Sequence, residues 1–217
     1  MYVIINAAMS IDGKIATVTG DSKISSMTDR QRVHRLRSSM DAIMVGISTV
    51  MKDDPMLTAR LTKSRKKNPV RIIIDSKAKI PINSRIMNTS RSIFTILAIS
   101  NGAPEKRISE IQKRGVIVIK AGNNVVDLSQ IFQILKKMGF NRILVEGGGE
   151  LNWSVLNLSI VKELIVTISS KIIGGRDAKT LVEGKGIPRI KDGINLRLQN
   201  ATYNENEIIL YYKSSED

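Results

Sequence analysis

The chain alternates short apolar runs with segments whose apolar residues recur every three or four positions. Apolar runs of four to eight residues bounded by turn residues read as buried strands, and the longer spacing reads as helices with one buried face. On this basis Tyr2 to Ala8, Ala42 to Val45, Val70 to Ile74, Ile93 to Ala98, Val116 to Ile119 and Ile143 to Val145 are strands, followed by late strands at Glu163 to Ser169 and Glu207 to Tyr212. Thr28 to Ser39 reads as a helix with Thr28 as its N-cap and Arg35 and Arg37 in its last turns. A short helix starts near Ser48, another runs from Pro104 to Arg114, and a third runs from Leu128 to Met138 with Gly139 after it. Strands alternating with helices predict an α/β fold with a mainly parallel central sheet flanked by helices. The late strands follow each other without a strong helix between them, which predicts antiparallel C-terminal strands. No repeat, low-complexity tract or linker interrupts the 217 residues, so a single domain over 1–217 is expected.

The most informative stretch is Arg142-Ile143-Leu144-Val145-Glu146-Gly147-Gly148-Gly149-Glu150, followed by Leu151-Asn152-Trp153-Ser154-Val155-Leu156 as the first turns of a helix. Strand, glycines and helix start bring bare backbone N–H groups and the positive end of a helix dipole to one point, where an anion such as a phosphate or pyrophosphate fits. Glycine also lets the main chain approach a ligand closely. The pattern is neither the GxGxxG fingerprint nor a P-loop, since no Lys-Ser/Thr follows.

Composition narrows the chemistry. There is no cysteine, which excludes disulfides, thiolate nucleophiles and cysteine-ligated metals. The single histidine, His34, excludes a histidine-rich metal site and reads as a surface residue of its helix. No metal site is expected. Tyr2 to Met9 is apolar but too short to span a membrane and lacks a basic flank. With no long apolar run elsewhere, the reading is a soluble, cytoplasmic protein without a membrane partner. The net charge of +14 fits nucleic acid, a small polyanionic ligand or a generally basic surface. The densest basic run, Lys63-Ser64-Arg65-Lys66-Lys67, precedes Asn68-Pro69 and reads as a solvated loop. Aromatic residues make up only 4% of the chain, which weakens a base-stacking platform, so nucleic acid ranks second and is not the expected partner.

In parallel α/β sheets, ligands collect beyond the carboxyl ends of the strands. The polar residues at those ends are Ala7 to Asp12, Gly46 to Asp53, Asp75 to Lys77, Gly122-Asn123 and Glu146 to Gly149. Each could be an ordinary turn or cap; five at one sheet edge point to a ligand site.

Four of these segments carry a resemblance. Asn6-Ala7-Ala8-Met9-Ser10-Ile11-Asp12-Gly13-Lys14, Gly46-Ile47-Ser48-Thr49-Val50 with Asp53-Asp54-Pro55-Met56-Leu57, Pro69-Val70-Arg71-Ile72-Ile73-Ile74-Asp75-Ser76, and Glu146-Gly147-Gly148-Gly149 with Leu151-Asn152-Trp153 resemble the successive motifs of the riboflavin-pathway pyrimidine reductases. The likeness runs from about Tyr2 to the C-terminal strand. It implies a dihydrofolate reductase-like fold, NADPH as hydride donor, a homodimer, and as substrate a ribosylaminopyrimidine 5′-phosphate reduced to its ribitylamino form. Bifunctional bacterial members also carry a zinc deaminase domain whose signature needs cysteine; this chain resembles the stand-alone reductases. Asn6 stands where bacterial reductases usually have Lys and resembles the archaeal and fungal branch, in which reduction precedes deamination. That implies 2,5-diamino-6-ribosylamino-4(3H)-pyrimidinone 5′-phosphate as substrate, with the deaminated pyrimidine or a pterin as alternatives.

The resemblance also implies site residues. Thr49 and Asp53 fall in the cofactor site, with Ser25 as a possible neighbour and Asp53 as the candidate proton donor. Asp75, Ser76, Lys77, Ala78, Asn123, Glu146 and Gly147, Gly148 and Gly149 complete the cofactor set. Ser22, Arg37, Leu57, Arg60 and Glu146 correspond to substrate contacts. Arg37 and Arg60 suit a 5′-phosphate, which guanidinium groups grip bidentately.

Overall fold

The protein is described by a computed structural model covering residues 1–60, 68–204 and 206–215. The basic run Lys63 to Lys67 lies outside the described residues. In chain order the elements are β1 (Tyr2–Ser10), α1 (Met27–Ser38), β2 (Ala42–Gly46), α2 (Ile47–Asp53), β3 (Val70–Ile74), α3 (Arg85–Asn88), β4 (Thr95–Ile99), α4 (Glu105–Gln112), β5 (Ile117–Lys120), α5 (Leu128–Lys137), β6 (Arg142–Val145), α6 (Gly149–Leu156), β7 (Val161–Ser169), β8 (Leu196–Asn204) and β9 (Glu207–Ser214). The chain forms two compact units. One comprises Met1 and His34–Leu144, the other Tyr2–Val33 and Val145–Asp217.

In the first unit β2, β3, β4 and β5 pair in parallel, with Ala42 opposite Val70, Arg71 opposite Thr95 and Ile96 opposite Ile117. These strands are nearly continuous apolar runs because helices cover both faces of a parallel sheet. Ile43, Val45, Ile73, Leu97 and Ile99 form one core with Val50 of α2, Ile86 and Met87 of α3, and Ile108 and Ile111 of α4. In α5, Leu128, Ile131, Phe132 and Leu135 are buried at helical spacing, and the Asp127 side chain caps the helix by accepting from Gln130 N. Arg71 interrupts the apolar run of β3 yet is fully buried. Its guanidinium donates to Thr95 Oγ1, Thr89 Oγ1 and the carbonyls of Ile86 and Ile93. Burial pushes its pKa down to about 10.

In the second unit β1 and β7 are parallel, β9 runs antiparallel to β7, and β8 runs antiparallel to β9. The expected α/β class, mainly parallel with antiparallel C-terminal strands, is therefore observed. Several local expectations change. Ser26 rather than Thr28 caps α1, its hydroxyl accepting from Asp29 N at 3.1 Å. Ser26 is itself fixed by Glu207, whose carboxylate accepts from Ser26 N at 2.6 Å and Ser26 Oγ at 2.7 Å. His34 is 9% exposed and belongs to the buried face of α1, not to the surface. The four-residue α3 and the strand β8 have no counterpart among the elements that the apolar pattern predicts. No helix among the described residues is long and apolar enough to cross a membrane.

Candidate active site

The carboxyl ends of β3, β4 and β5 supply one cluster, in the first unit. Asp75 follows β3, is 1% exposed, and its carboxylate accepts from Ile80 N at 2.8 Å within its own loop. Burial pushes its pKa up, opposed by N–H groups of Lys79, Ile80 and Lys77. The loop closes through Ala78, which is buried and has φ +52, a left-handed conformation that an L-residue adopts only at an energetic cost. Arg107 of α4 braces the same loop from outside, donating to the carbonyls of Ala78 and Ile80. Lys77 is thereby left exposed at the loop tip. Ser76 is tied to its neighbours: its hydroxyl accepts from Val126 N at 3.0 Å, and its carbonyl accepts from Ser100 Oγ at 2.8 Å. Gly102 N donates to Asn123 O at 3.0 Å, so the loops carrying Ser76 and Asn123 are linked through the loop after β4. A hydroxyl, an ammonium group and an exposed amide side chain thus collect at this edge.

The loop after β2 supplies a second cluster in the same unit. Thr49 is half-buried in α2, and Asp53 is the exposed last residue of that helix. Asp54 ends α2 with φ +38, and its carboxylate accepts from Arg85 N at 2.8 Å, fixing α3. Leu57 is 2% exposed with φ +48. Two left-handed non-glycine residues within four positions make a tightly shaped loop, and such strain concentrates at functional sites. Arg37, from the last turn of α1, donates to Thr58 O at 3.1 Å and so lies beside this loop. Arg60 is exposed at its far end.

In the second unit, the glycine segment leads from β6 into α6. Gly147 has φ +106, which favours glycine. Gly149 is packed so closely that an added Cβ would lie 2.6 Å from Thr180 O and 2.7 Å from Glu183 Cγ. Gly148, at the N-cap, has φ −44 and ψ 177 and carries no side chain of its own to cap the helix. Glu146 is half-buried beside the turn, and Ser22 is exposed in the loop before α1. The segment after β7 braces this region: Glu183 N donates to Gly149 O at 3.1 Å, and Asn152 Nδ2 donates to Leu181 O at 2.8 Å.

Two features of this unit add contacts that residue spacing did not indicate. Asp12, at the end of β1, accepts from Ser10 Oγ at 2.6 Å, Ile173 N at 3.1 Å and Gly174 N at 2.7 Å. The Ser10 hydroxyl and those two N–H groups hold its pKa down at about 2. The second is a buried network of Asn6, Asp29, Arg32 and Thr167. Asn6 stands in the first motif, and the link to α1 is signalled only by an acid–base pair three residues apart on that helix. A groove of about 310 Å³ lined by Leu156, Asp192, Ile194, Leu196 and Ser214 contains none of the cofactor or substrate residues expected from the sequence. No group of three or more potential metal ligands occurs among the described residues.

Comparison with known proteins agrees with this picture. The chain is 46% identical over 212 residues to the 2,5-diamino-6-ribosylamino-4(3H)-pyrimidinone 5′-phosphate reductase of Methanothermobacter thermautotrophicus, covering 97% of each chain. It is 36% identical over 204 residues to the protein of the same name from Aquifex aeolicus, covering 92% of this chain and 90% of that one. Among solved structures, it matches the diaminohydroxyphosphoribosylaminopyrimidine deaminase/5-amino-6-(5-phosphoribosylamino)uracil reductase of Thermotoga maritima with a TM-score of 0.79 and 26% identity; the match covers 98% of this chain and 56% of that one. Residues 1–210 match the model of the RibD C-terminal domain. With a family model spanning nearly the whole sequence and full-length relatives that share its length, the chain belongs to the RibD C-terminal domain family.

Proposed function

We propose that this chain is an NADPH-dependent reductase of riboflavin biosynthesis. It converts the ribosylamino side chain of 2,5-diamino-6-ribosylamino-4(3H)-pyrimidinone 5′-phosphate to the ribitylamino form, in the cytoplasm, as a homodimer in which residues 1–217 act as one reductase domain. The full-length likeness to the archaeal reductase carries this reading. Asn6 supports the order in which reduction precedes deamination, because the bacterial reductases that act later usually have Lys there.

The residues fit a phosphorylated dinucleotide. The order of strand β6, glycines and the start of α6 supports a pyrophosphate role for Gly147, Gly148 and Gly149. Ser76 and exposed Lys77 suit a 2′-phosphate, to which they offer a hydroxyl and a cation. Thr49, Asp53, Asp75, Ala78, Asn123 and Glu146 complete the proposed cofactor set, with Asp75 and Ala78 acting by shaping their loop. The bound cofactor supplies a hydride. The protein aligns the reacting carbons and excludes water. The sugar must open so that C1′ becomes an imine carbon; C1′ accepts the hydride and the adjacent nitrogen takes a proton. Asp53, exposed at the end of α2, is the candidate donor. Arg37 and Arg60 grip the 5′-phosphate, while Ser22, Leu57 and Glu146 contact the rest of the substrate.

Nicotinamide absorbance followed with the diamino pyrimidine, its deaminated counterpart and a pterin tests the assignment. Turnover of the diamino compound is expected to be fastest. Arg37→Ala or Arg60→Ala should weaken substrate use by roughly 2–4 kcal/mol, the range for removing one partner of a desolvated charge pair, while NADPH binding barely changes. Reduction of the pterin alone, or of nothing, overturns the substrate assignment.

A further inference from the structure

The loop after β3 is held from two sides. On the inside, the buried Asp75 carboxylate accepts from Ile80 N at 2.8 Å and also faces the N–H groups of Lys77 and Lys79. Ala78 N donates to Asp75 O at 3.0 Å. With these N–H groups gathered inward, the carbonyls of Ala78 and Ile80 are turned toward α4. Arg107 of α4 collects both: its Nε donates to Ala78 O at 3.1 Å, and its Nη2 donates to Ile80 O. Its Nη1 donates to Glu110 Oε2 at 2.9 Å, three residues along the same helix. Each guanidinium nitrogen is thus engaged within the protein, and an acid fixes the direction of the fork.

The residue that Arg107 grips is also the strained one. Ala78 is buried with φ +52, a conformation that an L-residue keeps only where its surroundings hold it. Ala78 directly follows Ser76 and Lys77, the pair that offers a hydroxyl and a cation at this sheet edge. Ser76 has its own anchors in Val126 N and Ser100 Oγ. Lys77 is exposed at the loop tip, so the direction in which its side chain leaves the loop is set by the backbone on either side, Ala78 included.

We propose that Arg107 is a positioning residue for cofactor choice: by holding Ala78 in its left-handed conformation, it fixes Lys77 where a 2′-phosphate is met. The inference rests on the NADPH reading and adds a determinant that acts through the loop. Arg107→Met keeps an unbranched side chain and loses every donor. The Arg107 side chain is 27% exposed, while the buried residues of α4 are Ile108 and Ile111, so the helix should stay packed. In nicotinamide fluorescence titrations the NADPH Kd of this variant should rise about tenfold, the effect of misplacing one charged hydrogen-bond partner. The Kd for NADH, which has no 2′-phosphate, should match the parent, and so should the KM for the pyrimidine. A general loosening of the loop would instead raise both nucleotide Kd values alike. Ala78→Gly removes the cost of the positive φ, so the loop keeps its shape with less help. In that background Arg107→Met should raise the NADPH Kd by no more than about threefold. Arg107→Lys keeps the cation but loses the planar fork, and it is read in the same way if Arg107→Met does not fold. An unchanged NADPH Kd, equal rises for the two nucleotides, or an undiminished effect in the Ala78→Gly background would overturn the proposal. A parent that binds NADPH and NADH equally removes the NADPH reading and this inference with it; a parent that prefers NADPH while the variants match it removes the inference alone.

Discussion

At the residue scale, the three glycines before α6 have separate reasons to be glycine. Gly147 needs its positive φ, and Gly149 needs the space taken by Thr180 and Glu183. Gly148 has a φ that any residue adopts, and under the proposed function its lack of a side chain lets the cofactor approach the main chain. Gly148→Val should fold normally and bind NADPH more weakly. Gly149→Val should lower stability by about 1–3 kcal/mol through overpacking. A Gly148→Val protein that binds NADPH as tightly as the parent, measured by nicotinamide fluorescence, would make the turn structural only. Asp12 gives a pH-dependent prediction. Its folded pKa, about 2, lies below the ordinary aspartate value of 3.8. The stabilisation it provides is therefore present above about pH 4 and is lost as pH falls through 2. Asp12→Ala should melt below the parent at pH 6, with the gap closing by pH 2. A gap that persists undiminished at pH 2 would mean that the carboxylate charge contributes nothing. The glycine turn was legible in the sequence because strand, glycines and helix are contiguous. The Asn6–Arg32 bond was not, because residue spacing assigns a side chain to a face without saying what another element sets against it.

At the element scale, the strands with continuous apolar runs were legible. Val70–Ile74 has the expected bounds, because Pro69 and Asp75-Ser76 flank a run that is apolar except for Arg71. The strand at β4 begins two residues later than expected, at Thr95, whose hydroxyl is committed to Arg71. β8 escaped because nothing in it is fully buried: its residues are exposed or half-buried, so it lacks the alternation that marks a half-buried strand. α3 escaped because four residues are too few to show a helical period. β8 is paired on one side by β9, and it exposes Leu198 at 52% and Tyr203 at 83%. An edge strand that carries exposed apolar side chains is an aggregation liability unless another surface covers it. The proposed homodimer should cover this C-terminal region. Light scattering at micromolar concentration is expected to give twice the chain mass of 24.0 kDa; a stable monomer would rule the dimer out.

At the scale of the whole molecule, a net charge of +14 suits an enzyme whose two proposed ligands are both anionic, since a positive field raises their local concentration. Composition alone left that reading beside nucleic acid; residue patterns at the strand ends separated them, and family membership now stands behind the choice. The most direct measurement is isotopic. NADPH deuterated at C4 is incubated with the enzyme and 2,5-diamino-6-ribosylamino-4(3H)-pyrimidinone 5′-phosphate, and the product is examined by NMR and mass spectrometry. The expected product is a ribitylamine phosphate with one deuterium bound at C1′. Deuterium on the pyrimidine ring, or no transfer at all, would contradict the proposed reaction.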